Sequence, residues 1–314
     1  MNIAIDMMGG DFAPDQAVVG VHQYLSTNSL SAFLLLIGDE KKIEGLVRKE
    51  NIPPNRIKIV HATQVIDMHE HPTKALKEKP DSSIAVGFKW LASGKADAFI
   101  SAGNTGTMLV GSLFSIKAIE GVQRPTISTI IPRESGKTGL LLDVGLNADC
   151  KPEVLNQFAI LGSLYARHIL GIEDPKTGLI NIGEEEGKGN LLAQAAYPLL
   201  KENPQIHFIG NVEGRDIFLD KADVMICDGF TGNIILKLAE SLFDITQRQE
   251  IHHEYFDRFN FENYGGTPVL GVAKPVIIGH GISHGKAFKN MILLAEKMIA
   301  SGLMQKMKES FESN

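Results

Sequence analysis

Residues 224–243 read Val224-Met225-Ile226-Cys227-Asp228-Gly229-Phe230-Thr231-Gly232-Asn233-Ile234-Ile235-Leu236-Lys237-Leu238-Ala239-Glu240-Ser241-Leu242-Phe243. A short apolar run, 224–227, enters a turn with two glycines and leaves as a helical pattern over 234–243. Strand, glycine turn, helix is the repeating unit of an α/β fold. Outward from it, the same order recurs. β-prone runs at 3–7, 33–37, 57–60 and 98–100 each precede a turn-rich or helical stretch, and 179–182, the helix-like 191–200 and 207–209 continue the alternation. Residues 128–131 and 139–144 flank the polar turn Arg133-Glu134-Ser135-Gly136-Lys137 and read as paired neighbouring strands. Residues 276–278 and a helical run at 288–303 complete the chain. No Pro/Ser-rich linker and no repeat separates two halves, so a subdivision near residue 150 would join two intimately associated subdomains.

Composition narrows the function. Of 314 residues, 44% are hydrophobic and 22% charged, and 31 are glycine, as in a folded enzyme with many tight turns. A formal charge of -6 argues against tracking a nucleic-acid backbone. The two cysteines, Cys150 and Cys227, read as buried or incidental thiols in a reducing compartment. The N-terminal stretch lacks a basic segment followed by a long apolar run, and no segment approaches about 18 uninterrupted apolar residues, so a cytoplasmic protein is expected.

Four glycine-rich turns follow strands. They are Asp6-Met7-Met8-Gly9-Gly10-Asp11, Ser101-Ala102-Gly103-Asn104-Thr105-Gly106, the stretch 183–190 with Gly187 and Lys188, and Asp228-Gly229-Phe230-Thr231-Gly232-Asn233. In a parallel sheet such turns converge at the strand ends, where glycine lets backbone approach a ligand and helix starts offer N–H groups to an anion. Each alone also fits a plain tight turn. Together they nominate Asp6, Gly9, Gly10, Gly103, Thr105, Gly187 and Gly232 as substrate-binding positions.

Three familiar motifs fail on inspection. Gly136-Lys137-Thr138 lacks the glycine of a phosphate loop at Ile131 and precedes a strand. The turn around Lys188 is one spacer short and has Gly189 where Ser or Thr is required. Gly281-Ile282-Ser283-His284-Gly285 has nucleophile-elbow spacing, yet no later histidine can face Ser283, which with His280 reads as a ligand contact or turn residue. His69/His71 and His252/His253 lack metal-ligand spacing, so no metal is expected. Lys74, Lys77 and Lys79 form a basic cluster ahead of Asp81-Ser82-Ser83, which caps a helix starting near Ile84. The cluster is either a solvated face or a contact for an acidic partner.

Taken together, residues 4–11, 81–83, 101–106, 141–147, 181–190, 210–216 and 227–233, with His280, Gly281 and Ser283, resemble the phosphate acyltransferase family of bacterial phospholipid synthesis. The resemblance runs over roughly nine tenths of the chain. It implies a three-layer α/β/α fold like that of the isocitrate and isopropylmalate dehydrogenases, a homodimer, and transfer of an acyl group from acyl carrier protein to inorganic phosphate without a cofactor. It further implies that Lys188 and Asn233 are the essential catalytic residues; Asn104 is a third candidate. A functional link to a membrane glycerol-3-phosphate acyltransferase follows from the same likeness. A nicotinamide-dependent dehydrogenase is disfavoured because no Gly-x-Gly-x-x-Gly follows the first strand. A non-catalytic acyl carrier protein scaffold is disfavoured by the retention of Lys188 and Asn233.

One segment departs from the family. Many members carry a longer helical hairpin with an apolar, lipid-touching tip where residues 244–263 here are short and interrupted by charge. Membrane association is therefore expected to be weak and peripheral. Tyr255, Phe256, Phe259 and Phe261 are expected to pack on the enzyme body or a partner subunit.

Overall fold

The computed structural model describes residues 1–27 and 32–312. By internal contacts the chain divides into two compact units. One comprises Met1–Ile119 and Phe261–Met304, the other Glu120–Asn260 and the residues from Gln305 onward. Residue 150, where a subdivision was expected, lies inside the second unit.

The first unit opens with β1 (Asn2–Asp6), α1 (Asp15–Leu25), β2 (Phe33–Gly38), α2 (Glu40–Lys49) and β3 (Ile57–His61). It continues with α3 (Pro72–Glu78), α4 (Ser83–Ala92), β4 (Ala98–Ser101) and α5 (Thr105–Gly111). β1 pairs in parallel with β2 and β4, and β2 with β3. Ile3, Ala4, Ile5 and Asp6 are all fully buried, and α4 is among the helices that contact β1. Continuous burial along a strand, rather than alternation, is what coverage of both sheet faces produces.

The second unit starts with the antiparallel pair β5 (Thr126–Pro132) and β6 (Thr138–Leu142). Next come α6 (Pro152–Tyr165), β7 (Lys176–Ile180), α7 (Leu191–Lys201), β8 (His207–Val212), β9 (Val224–Ile226), α8 (Gly229–Arg248) and α9 (Glu254–Asp257). β9 lies between β6 and β7, parallel to both, and β7 pairs in parallel with β8. Placing a late strand between two earlier ones gathers the C-terminal ends of β6, β7 and β9 side by side. These ends carry residues 143–147, 181–190 and 227–233.

The chain then returns to the first unit with β10 (Thr267–Leu270), β11 (Val276–Ile278) and α10 (Gly285–Ala300). β11 is parallel to β4 and antiparallel to β10, and α10 lies along α1. The α/β class read from the sequence therefore holds. β10 was not anticipated: it is four residues long, follows Gly265-Gly266 and contains Pro268, which signals against a strand. The helical run expected over 288–303 breaks at Gly302, whose φ of +64° ends α10, and α11 (Leu303–Glu312) follows. No helix among the described residues is long and apolar enough to cross a membrane.

The helix expected from Ile234 begins instead at Gly229. Asp228 is its N-cap: one carboxylate oxygen accepts from the Thr231 N–H at 2.8 Å and the other from the Thr231 hydroxyl at 2.9 Å. The glycine turn is thus the first turn of α8. Its glycines are dictated by contact: a Cβ on Gly229 would lie 2.8 Å from the Asn147 carbonyl oxygen, and one on Gly232 would overlap the carbonyl oxygen of Asp143. Gly232→Ala is accordingly expected to lower stability by about 1–3 kcal/mol, the cost of overpacking against fixed backbone. A chemical denaturation midpoint equal to that of the native protein would show that α8 moves freely aside.

Candidate active site

Each unit carries a buried aspartate at the end of its key strand. In the first, Asp6 accepts from the Met8 N–H at 2.9 Å and the Ser101 hydroxyl at 2.6 Å, and Ser101 Oγ in turn accepts from the Gly103 N–H at 2.9 Å. This chain of bonds ties the turn after β1 to the turn after β4. Gly9 fits because a Cβ would lie 2.6 Å from the Gly103 nitrogen. Gly10, at φ +103°, lets the Asp11 N–H reach the Gly281 carbonyl at 2.7 Å, bringing in the turn after β11. Asp6, Gly9, Gly10 and Gly103 are therefore assembled together as expected from the sequence. Ser283, in the third turn, is 2% exposed and its hydroxyl has no hydrogen-bond partner. His280 stacks on Phe261 with ring centres 4.5 Å apart, and Thr105 is exposed at the start of α5.

Asn104 is placed otherwise. Its carbonyl oxygen accepts from the Thr107 N–H and hydroxyl, while its NH₂ meets the carbonyls of Asp67, Met68 and Glu70, each at 3.0 Å. An amide has two N–H donors, so none is left for a substrate. The residue caps α5 and clasps the 67–70 loop. Lys79 is likewise committed, to Glu70 and to the Val65 carbonyl at 2.8 Å, and pulls the Glu70 carboxyl below its usual range. Of the basic trio, Lys77 is exposed with no ion pair among the described residues, and Lys74 holds a 4.0 Å contact with Glu78.

The second unit assembles the two principal candidates. Asp143, after β6, accepts from the backbone N–H groups of Gly145, Leu146 and Asn147 at 3.1, 3.1 and 2.7 Å, and from the Asn147 side chain at 2.7 Å. These bonds fold residues 143–147 into a tight loop. Gly145 turns it at φ +136°, and a Cβ there would lie 3.1 Å from the Asn233 amide nitrogen. Asn233 donates to the Val144 carbonyl at 3.1 Å and is otherwise exposed, leaving one N–H and its oxygen available.

Lys188 stands on the turn after β7. Asn181 donates to the Lys188 carbonyl at 3.0 Å and to Asn211, which in turn donates to the Glu185 carbonyl at 2.9 Å. The exposed loop is thus clasped from beneath by two amides. Three acidic residues precede Lys188, but Glu184 pairs with Lys221 at 2.6 Å and Glu186 with Lys201 at 2.9 Å. The Lys188 ammonium is left with no ion pair among the described residues, between Gly187, which has open space around it, and Gly189 at φ +97°. Beside this loop lies a cavity of about 460 Å³, lined from β7, α7 and the first turn of α8. Cys227 is in its wall, but burial pushes its thiol well above the ordinary range, and Cys150 is pushed up to about 12. Neither supplies a thiolate nucleophile.

Asp143, Asn181 and Asn211 were not among the residues singled out from the sequence. A signal for Asp143 existed: apolar strand, Asp, then glycine repeats the pattern around Asp6. The clasping amides carry none, since their partners are backbone groups fixed only by the fold. The aromatic segment resolves simply. Phe259 is buried, with Phe218 and Tyr255 rings 5.5 and 5.3 Å away, so it packs on its own unit.

A family model described as fatty acid synthesis protein matches residues 1–306. A phosphate acyltransferase of Dictyoglomus turgidum is 43% identical over 329 aligned positions, covering 98% of this chain and 97% of its own. One of Desulforamulus reducens is 42% identical, with 100% and 98% covered. Among solved structures, a phosphotransacetylase from Streptococcus pyogenes superposes with a TM-score of 0.66 at 19% identity, covering 95% of this chain and 94% of that one. That likeness bears on fold alone.

Burial raises the carboxyls of Asp6 and Asp143 above the ordinary value of 3.8, whereas hydrogen bonds from Thr63 lower that of Asp81. A raised folded-state value means the native form binds its proton more tightly than the unfolded chain. The contribution of Asp6 and Asp143 to stability is therefore greatest below pH 3.8 and declines as pH rises through their folded values; that of Asp81 is lost as pH falls. Carboxyl ¹³C titration is expected to place Asp6 and Asp143 above 3.8 and Asp81 below it. The opposite order would refute the assigned balance of burial and hydrogen bonding.

Proposed function

The chain belongs to the fatty acid synthesis protein family, and from that membership we propose that it transfers a fatty acyl group from an acyl carrier protein thioester to inorganic phosphate. The relatives named phosphate acyltransferase support acyl transfer to phosphate. The observation that carries the reading is the Lys188 ammonium, without an ion pair among the described residues on a clasped loop while Glu184 and Glu186 are drawn to Lys221 and Lys201. A phosphate oxygen attacks the thioester carbonyl carbon, the tetrahedral oxyanion collapses, the C–S bond breaks, and the carrier leaves as its thiol after taking up a proton. Phosphate is itself the nucleophile. The thiols of half-buried Cys150 and buried Cys227, both shifted toward the protonated form, are accordingly not needed, and catalysis consists of positioning and charge stabilisation. Lys188 offsets the charge of phosphate as a second anionic centre develops, and the spare N–H of Asn233 faces the oxyanion.

The same reading includes a homodimer in the cytoplasm, an acidic carrier met at Lys74 and Lys77, and use of the acyl phosphate by a membrane glycerol-3-phosphate acyltransferase. Because Phe259 is buried against its own unit, contact with lipid through residues 244–263 is weak.

Lys188→Ala is expected to reduce phosphate-dependent acyl phosphate formation roughly a hundredfold or more with an unchanged melting temperature, and Asn233→Ala comparably. Near-native turnover in either folded variant removes that residue from the mechanism. Reversing Lys74 and Lys77 to Glu, with Lys79 left in its internal bond, is expected to raise KM for the carrier thioester and flatten its salt dependence while the KM for phosphate stays put. Unchanged carrier kinetics would place the docking face elsewhere.

A further inference from the structure

The cavity beside the Lys188 loop has an apolar interior. Leu155, Leu179, Ile180, Ile182, Leu192 and Ala193 line it. Polar side chains are also present, and many of their hydrogen-bonding groups are engaged within the protein. Asn181 donates to Lys188 and Asn211 and accepts from the Ile182 N–H at 2.8 Å. The Asn190 oxygen accepts from the Ala193 N–H at 2.8 Å, and the Asp228 carboxylate takes both the N–H and the hydroxyl of Thr231. A guest with amides of its own would find few partners along the apolar part of this lining, and each amide left unpaired carries a cost. A hydrocarbon chain meets no such penalty.

The approach is apolar as well. Ile182 lines the cavity and is 81% exposed; Leu191, between the lining residues Asn190 and Leu192, is 86% exposed; Phe230, next to Thr231, is 63% exposed. A single exposed apolar side chain means little, but these three adjoin the lining of one cavity. The lining also includes Gly189, the neighbour of Lys188, and the α8 turn that ends at Asn233. A chain seated in it enters beside both candidate catalytic residues.

We infer that this cavity, at the C-terminal ends of β7 and β9, receives the hydrocarbon tail of the acyl donor and thereby sets acyl-chain preference. The inference rests on the acyltransferase reading above for the identity of the donor. Each methylene taken into such a cavity is worth roughly fourfold in kcat/KM.

Two variants test it. Leu192→Trp fills the cavity, and Ile182→Asp places a charge at its exposed mouth, where folding is not at stake. Each is expected to lower the ratio of palmitoyl to butyryl kcat/KM tenfold or more, and to weaken binding of the fluorescent fatty acid cis-parinaric acid to a similar degree. Folded Ile182→Asp with native parinaric affinity would overturn the inference, as would a native chain-length ratio in both variants. The binding measurement needs no turnover. If the native protein binds parinaric acid, loses it in both variants, yet forms no acyl phosphate, the cavity assignment stands and the acyltransferase reading falls.

Discussion

A carboxylate taken out of water at a strand end must be surrounded by donors, and in this protein many of them are backbone N–H groups of the turn that follows. Asp143 collects those of Gly145, Leu146 and Asn147, and so converts the exit of β6 into a loop of fixed shape. α8 then enters against that loop so closely that Gly232 has no room for a side chain. Asn233 is positioned by this contact rather than by its own packing. Asp6 does the corresponding work for β1 and β4 in the first unit. For both carboxyls desolvation by burial outweighs the hydrogen bonds they accept, so both are raised above the ordinary value.

The division of labour among amides is the second theme. Asn104, Asn181 and Asn211 commit their NH₂ groups within the protein, largely to backbone carbonyls. Asn233, with one bond to the Val144 carbonyl, keeps a donor and an acceptor in hand. The same selection operates on lysines: Lys79, Lys201 and Lys221 are tied to carboxylates, whereas Lys188 is not. A preorganised site needs most of its polar groups committed so that the few uncommitted ones are held at fixed positions.

Much of this could be read from residues. The strand, glycine turn, helix order around 224–243 is a local signal, and so the α/β class and the glycine turns that carry Lys188 and Asn233 were legible. Helix starts were displaced where a cap decided them: Asp228 draws the start of α8 back to Gly229, a shift that periodicity in the apolar residues cannot register. β10 was hidden because Pro268 and its short length contradict strand propensity, while its pairing with β11 is a long-range matter. The internal commitments of Asn104 were hidden for the same kind of reason. Its Gly-Asn-Thr-Gly setting marks a helix cap and a ligand turn equally, and only the 67–70 loop, more than thirty residues away in sequence, decides between them.

The interleaving of the two units bears on how the polypeptide emerges during synthesis. β4, internal to the first unit's sheet, gains its second neighbour only when β11 has been made, well after the whole of the segment that separates them. Until then a nascent chain holds one edge of that parallel sheet open, and an open edge invites pairing with other chains. The intervening segment reaches the solvent first with β5 to β9 intact, and needs only the closing residues from Gln305 onward to be complete. The second unit, with Lys188, Asn233 and the apolar cavity, therefore has nearly all of its strands in place while the first is still waiting for its last two.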